Sequence, residues 1–304
     1  MHRPLELSKI ILPQKFSHKG QNGRLLIIGG SHLFHAASLW SLTVASRIVD
    51  LVHYASVPEN NRIVQDLKAE FRDGIIVPRT EIENYIEEDD CVLIGPGMVR
   101  ANNVAIQQYN NITMNLEDIE KIEDGGQQTA VLTNYLLQKY PHKQWVIDAG
   151  ALQMCDTILI PKNAILTPHR REFDQLKFKI KNSKLKMEIE NLKLEDQVKR
   201  FALHYRCIAL IKGEVDIISD GERVREIHGG NAGLTKGGTG DVLAGLIAAL
   251  VCKNDPWVAT VAGSYINKQA GDELYKKVGY FFNASDLADE IPKVMKKLLV
   301  YENA

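Results

Sequence analysis

An α/β fold, with a mainly parallel central sheet and helices on both faces, is predicted by three features of this 304-residue sequence. Short apolar runs recur at residues 24–31, 90–97, 144–152 and 207–213, and each closes on a turn. Runs of this kind, without polar alternation, suit strands buried on both faces. Longer segments of helical character alternate with them, the order that builds β-α-β units. Several runs also deliver glycine, proline or a charged side chain to their carboxyl ends, the edge where open α/β sheets bind ligands.

Composition narrows the partners. Hydrophobic residues make up 45% and charged residues 25%, as in ordinary soluble globular proteins. A net charge of −1 gives no general field for nucleic acid or anionic lipid, so neither is an expected partner. The N-terminus lacks the apolar core of a signal peptide, and the longest apolar run, residues 242–252, is too short to span a bilayer. Four scattered cysteines with no Cys-x-x-Cys pair read as buried thiols in a reducing compartment, so a cytoplasmic protein is expected. No linker or composition break is visible. One domain over 1–304 is expected, with 1–22 as an N-terminal extension.

Along the chain, residues 24–31 read as a central strand ended by Gly29-Gly30-Ser31, with helix from Ala36 to about Val49. That turn is not G-x-G-x-x-G, so a Rossmann NAD fingerprint is absent, and a turn without a ligand is an equal reading. His35 at its mouth reads as a surface histidine, with help in binding phosphate as the other reading. Residues 50–56 and 74–77 read as strands and 58–60 as a loop. The acidic stretch 81–90 reads as a solvated helix face. A strand then ends in Gly95-Pro96-Gly97, and 100–130 reads as a loop followed by an amphipathic helix. Residues 144–148 form a strand closing on Asp148, which suits an N-cap or a group orienting a cation or hydroxyl. The segment 164–173 reads as strand, proline break and helix start, with His169 and Glu172 on one helix face as a surface pair. Arg170 and Arg171 are expected to face solvent, as is the lysine-rich helical segment 174–206. Lys212 ends the next strand, where phosphate contact and plain solubility are both reasonable. Residues 214–218 return as a strand, and helices are expected at 257–270 and 285–300.

Residues 229–250 carry the chemistry. Gly237, Gly238 and Gly240 leave no Cβ to hold an anion away from the amides, and an apolar helix begins directly after them. Free N–H groups and the positive end of a helix dipole meet there. Asp241 at that junction reads as an N-cap or as a base beside a phosphate, and the glycines and hydroxyls leading to it favour the base.

The run from Asn231 to Asp241 closely resembles the Gly-Gly-Thr-Gly-Asp signature of ribokinase-like kinases, and most of all the form in the NAD(P)H-hydrate dehydratases. The resemblance extends from about Gly23 to Leu299 through Gly95-Pro96-Gly97, Asp148-Ala-Gly-Ala-Leu152 and Thr167-Pro-His-Arg-Arg-Glu-Phe173. It implies a ribokinase-like fold and repair of hydrated NADH and NADPH with ADP or ATP and Mg2+. By resemblance, Asp241 is the base, and Gly238, Thr239 and Gly240 form the anion hole. Ala37, Gly95, Gly97, His169 and Asp241 touch the hydrate. Lys212, Gly213, Glu214, Val215, Asp216, Asn231 and Gly240 bind the nucleotide. Glu172 acts on magnesium through water. The family motif Tyr-x-Gly-Ala aligns with Phe34-His35-Ala36-Ala37, so a phenol and a glycine are replaced. A separate epimerase that interconverts the hydrate forms is the implied functional partner, and a homo-oligomer the implied assembly.

The implied reaction is phosphorylation of the hydrate hydroxyl, followed by loss of phosphate driven by the ring nitrogen. A hydroxyethylthiazole kinase-like enzyme of the same fold shares the Gly-Gly-Thr-Gly-Asp run. A catalytically silent nucleotide-binding module would be expected to lack Asp241.

Overall fold

The computed structural model describes residues 3–100 and 114–300. Among the described residues nine strands form one sheet: β1 (Arg24–Ile28), β2 (Leu51–Ala55), β3 (Ile75–Ile76), β4 (Cys91–Ile94), β5 (Gln144–Ile147), β6 (Ile165–Leu166), β7 (Ile208–Ile211), β8 (Asp216–Ser219) and β9 (Val224–Ile227). Their order is β3-β2-β1-β4-β5-β6-β7-β8-β9. Pairing is parallel from β3 to β7 and antiparallel for the last two strands. Every parallel strand therefore points its carboxyl end to the same edge.

The apolar runs are continuous because both faces are covered. Leu25, Ile27, Leu93 and Val146 pack on one face beneath α1 (Ala36–Ala45), α10 (Thr239–Val251), α11 (Pro256–Val278) and α12 (Ala284–Met295). Their neighbours Leu26, Ile28, Val92, Ile94 and Ile147 turn to the other face, under α3 (Ile82–Glu88), α5 (Gly125–Lys139), α6 (Ala149–Met154), α7 (Arg170–Phe178) and α9 (Leu194–Tyr205). This is the strand period of two, read by two cores. From Val242 to Val251 every residue of α10 is buried, as the absence of a polar face requires.

Several expectations need correction. Residues 58–60 are no loop but the first turn of α2 (Pro58–Asp66), with Pro58 where its missing N–H costs nothing. Helix α1 stops at Ala45, short of Val49. The acidic stretch 81–90 is not wholly solvated: Asp89 is buried and accepts from His53 Nδ1 at 2.8 Å. Residues 174–206 break into the end of α7, α8 (Ser183–Glu190) and α9. Strand β9 went unread because only one of its four residues is buried. Of the segment 100–130, residues 101–113 lie outside the described residues, and α4 (Leu116–Glu120) precedes α5.

Candidate active site

The start of α10 is shaped by what surrounds Gly238. Its φ is 93°, and a Cβ there would lie 2.3 Å from the Trp40 ring and 2.7 Å from the Ala284 methyl. Only glycine satisfies both the dihedral and the space. Gly237 and Gly240 are not crowded by backbone: nothing lies within 4 Å of an added Cβ at the former, and only Lys212 Nζ, at 3.3 Å, at the latter. Thr239 braces the loop instead of facing its mouth. Its hydroxyl donates to Leu234 O at 2.6 Å, and its N–H to Lys236 O at 3.3 Å. The amides of Gly238, Gly240 and Asp241 are then the natural donors to an anion.

Asp241 sits in the first turn of α10, and its carboxyl feels the charges of Asp148, Lys212 and Glu172. Lys212 Nζ donates to Asp148 Oδ1 at 2.9 Å, and Thr167 Oγ1 donates to the same oxygen at 2.8 Å. Asp148 thus occupies the N-cap position of α6 without capping it: its side chain makes no bond to the helix, and Ala149 after it has φ 44°. Burial, then the charge of Asp148, pushes the Asp241 carboxyl up to about 7, against the opposing pull of Lys212. Burial works the other way on Lys212, but the charges of Asp148, Glu172 and Asp241 hold its ammonium above the ordinary lysine value.

His169 and Glu172 do pair, Nε2 to Oε2 at 3.5 Å, but as cap and first turn and with Glu172 buried, not as two residues of one exposed helix face. His169 is the N-cap of α7: its Nδ1 accepts from Glu172 N at 3.2 Å, while Glu172 Oε2 accepts from His169 N at 2.8 Å. That reciprocal capping box explains the spacing of three. Glu172 is buried and also accepts from Gln153 Nε2 at 2.8 Å, whereas the His169 ring is half exposed. Arg170 and Arg171 face solvent as expected.

Ala37, Gly95 and Gly97 come together across two strands. Gly97, at φ 73°, is hemmed by Phe34 O, the Ala37 methyl and Gly30 Cα, each within 3.2 Å of an added Cβ. Gly30 N donates to Pro96 O at 2.7 Å, so the glycine turns after β1 and β4 interlock. Gly95, at φ 123°, lies against Asp148 O, only 1.8 Å from where its Cβ would be. His35, read as a surface histidine, is tied by Nδ1 to Asn60 Oδ1 at 2.6 Å.

Lys212–Asp216 is the β7–β8 connection. Gly213 and Glu214 are exposed, but the Asp216 side chain is turned inward. It accepts from Gly213 N at 2.9 Å and from Ser264 Oγ at 2.8 Å, so it shapes the turn. Lys268 fixes the same turn through Gly213 O and Glu214 O at 3.0 Å each. Asn231 holds the loop before α10, donating to Gly271 O at 2.8 Å and accepting from Gly233 N at 2.9 Å. Trp40, Gln153 and Lys268 are the residues the motifs missed; they act through contacts distant in sequence and leave no local signal.

Glycine amides at a helix start, a half-buried carboxyl pushed up to about 7 and an exposed hairpin turn share one edge of a parallel sheet, the layout of a ribokinase-like fold. A family model described as NAD(P)H-hydrate dehydratase matches residues 25–293, and the chain belongs to that family. The bifunctional NAD(P)H-hydrate repair enzyme Nnr of Methanocaldococcus jannaschii is 35% identical over 290 residues, 92% of this chain and 49% of its own length. The chain thus spans about half the length of the bifunctional relatives it matches. The ADP-dependent (S)-NAD(P)H-hydrate dehydratase of Nitrosopumilus maritimus is 32% identical, over 92% of this chain and 91% of that one. Among solved structures, the ADP/ATP-dependent NAD(P)H-hydrate dehydratase of Bacillus subtilis, co-crystallized with ATP/Mg2+, shares the fold: TM-score 0.71, 21% identity, 96% of both chains. A ribokinase-like protein of Enterococcus faecalis does too, with TM-score 0.75, 24% identity and coverage of 96% and 94%.

Proposed function

We propose that this protein dehydrates hydrated NADH and NADPH at the expense of ADP or ATP, with the whole chain working as one catalytic unit. The observation that carries the reading is the Asp241 carboxyl, held near 7 by burial at the mouth of the α10 amides. In its ionised form it takes the proton of the hydrate hydroxyl as that oxygen attacks the terminal phosphorus of the nucleotide. The bond from phosphorus to the nucleotide breaks, and the Gly238, Gly240 and Asp241 amides with Lys212 balance the charge on the transferred group. The ring nitrogen beside the phosphorylated carbon then donates its lone pair, the carbon–oxygen bond breaks and phosphate leaves. Loss of the adjacent ring proton restores the dihydronicotinamide. ADP yields AMP, and ATP yields ADP.

Among the described residues no three His, Cys, Asp or Glu side chains form a metal cage. The donor set present, Glu172 with Asp148 beside Lys212, suits an ion that keeps its waters and rides on nucleotide phosphates. Bound there, Mg2+ would neutralise phosphate charge. Among the described residues no helix is long and apolar enough to cross a membrane. An epimerase supplying the reactive hydrate form is the expected functional partner, and a homo-oligomer the expected assembly.

The test is direct. The purified protein is incubated with NADH hydrate and either ADP or ATP, and the absorbance of reduced nicotinamide is followed. Return of that absorbance with release of phosphate is expected. A stable phosphorylated product in its place would move the assignment to a small-molecule kinase.

A further inference from the structure

At the β3 end of the sheet the carboxyl ends of β2 and β3 open into a cleft that the phosphoryl chemistry does not use. It encloses about 470 Å3 among Ser56, Asn61, Arg62, Pro78, Arg79 and Glu120. Arg79 is only 4% exposed. Its Nη1 donates to Gln128 Oε1 at 3.0 Å, and its Nη2 to Gly29 O and Gly30 O at 3.3 Å each. Its Nε–H has no partner among the described residues. Burial pulls the guanidinium down to about 10, so it stays charged at neutral pH; the charges of Glu120 and Glu59 act on it in the other direction, and neither forms an ion pair with it. A buried cation with an idle donor and no ion pair is a costly arrangement unless an anion completes it. Arg62 on the rim is exposed and unpaired among the described residues. The nine-residue helix α2 adds its N-terminus through Ser56, Pro58 and Asn61, with no side-chain cap.

The cleft is placed by the substrate turn. Arg79 grips the inner carbonyls of Gly29 and Gly30, and Gly30 packs against Gly97 beside Ala37. From β1 to β3 is two strand spacings, about 10 Å. The proposed nucleotide turn after β7 lies in the opposite direction along the sheet. A hydrate whose ring reacts at Asp241 and whose tail runs away from the donor passes over β1 towards Arg79 and Arg62. Resting on the dehydratase reading, we infer that Arg79 and Arg62 form an anion subsite for the phosphates on the adenylyl half of the dinucleotide hydrate.

Arg62, being exposed, is the residue to change. Arg62→Ala and Arg62→Glu are assayed at saturating nucleotide with the hydrates of NADH, of NADPH and of the reduced nicotinamide mononucleotide, which lacks the adenylyl half. The kcat/KM ratio of dinucleotide over mononucleotide hydrate is expected to fall about tenfold in Arg62→Ala and further in Arg62→Glu, with the effect shrinking as salt rises. An equal fall for both dinucleotides assigns the subsite to the pyrophosphate; a fall confined to the NADPH form assigns it to the 2′-phosphate. Ratios unchanged in Arg62→Glu for both dinucleotides overturn the subsite and leave the dehydratase reading standing. No turnover of any hydrate by the parent protein would sink that reading itself.

Discussion

The Lys212 ammonium is held by Asp148 at 2.9 Å and reaches the edge of Gly240, where an added Cβ would meet it at 3.3 Å. The strand-end lysine and the second residue of α10 thus stand side by side, within electrostatic reach of Asp241. A transferring phosphoryl group placed there would meet amides, an ammonium and a base together.

Gly240→Ala separates this role from folding. Gly240 needs no left-handed backbone, and the one neighbour of its added methyl is the end of a flexible side chain. In a helix, alanine is favoured over glycine by about 0.5–1 kcal/mol. The variant should melt no lower than the parent, while kcat falls on the order of 100-fold because the methyl stands in the anion hole. Near-parent kcat would show that no phosphate approaches these amides.

Asp241→Asn should lose activity and gain stability with a defined pH signature. The native carboxyl titrates near 7 against a reference value of 3.8. Between those values the native state keeps a proton the unfolded chain has lost, so stability falls as pH rises from 3.8 to 7 and then levels. Asparagine removes that loss. Denaturant unfolding should find the variant more stable by on the order of 2–4 kcal/mol at pH 8, converging with the parent towards pH 4. Turnover should drop by roughly 100- to 10,000-fold.

Asp148→Asn reports on the electrostatics of the base. In the parent, kcat/KM should rise with pH through about 7 as Asp241 ionises. Asp148 helps hold that value up and also engages Lys212. Removing its charge should move the rising limb to lower pH, by about one unit. A limb that stays in place or moves upward contradicts the coupling.

Gly95→Ala tests the Gly95-Pro96-Gly97 turn as architecture. With φ at 123° and Asp148 O 1.8 Å from the new Cβ, the backbone has to move. A loss of roughly 3 kcal/mol or more in unfolding free energy is expected, readable as a lower thermal midpoint. A midpoint equal to the parent's would refute the packing described.

The sheet and the α10 mouth were legible because they rest on local signals. Unbroken apolar runs mark strands covered on both faces, and Gly237-Gly238-Thr239-Gly240-Asp241 mark a helix start open to an anion. What escaped was set by distant contacts. Nothing near Thr239 in sequence says that its hydroxyl turns back to Leu234, and nothing near Asp148 says that it receives Lys212 from two strands away. The spacing of His169 and Glu172 was visible, but a spacing of three fits a helix face and a capping box equally. Arg79 carried no motif; its meaning arises only where its side chain, after β3, reaches past β2 to the Gly29-Gly30 turn.

Phe34 meets Gly97 through its main-chain oxygen, while its own ring is half exposed. The turn therefore cannot sense which aromatic group stands at that position. A phenol in place of the phenyl would leave this main-chain contact as it is, and its effect would fall on whatever molecule lies against the ring.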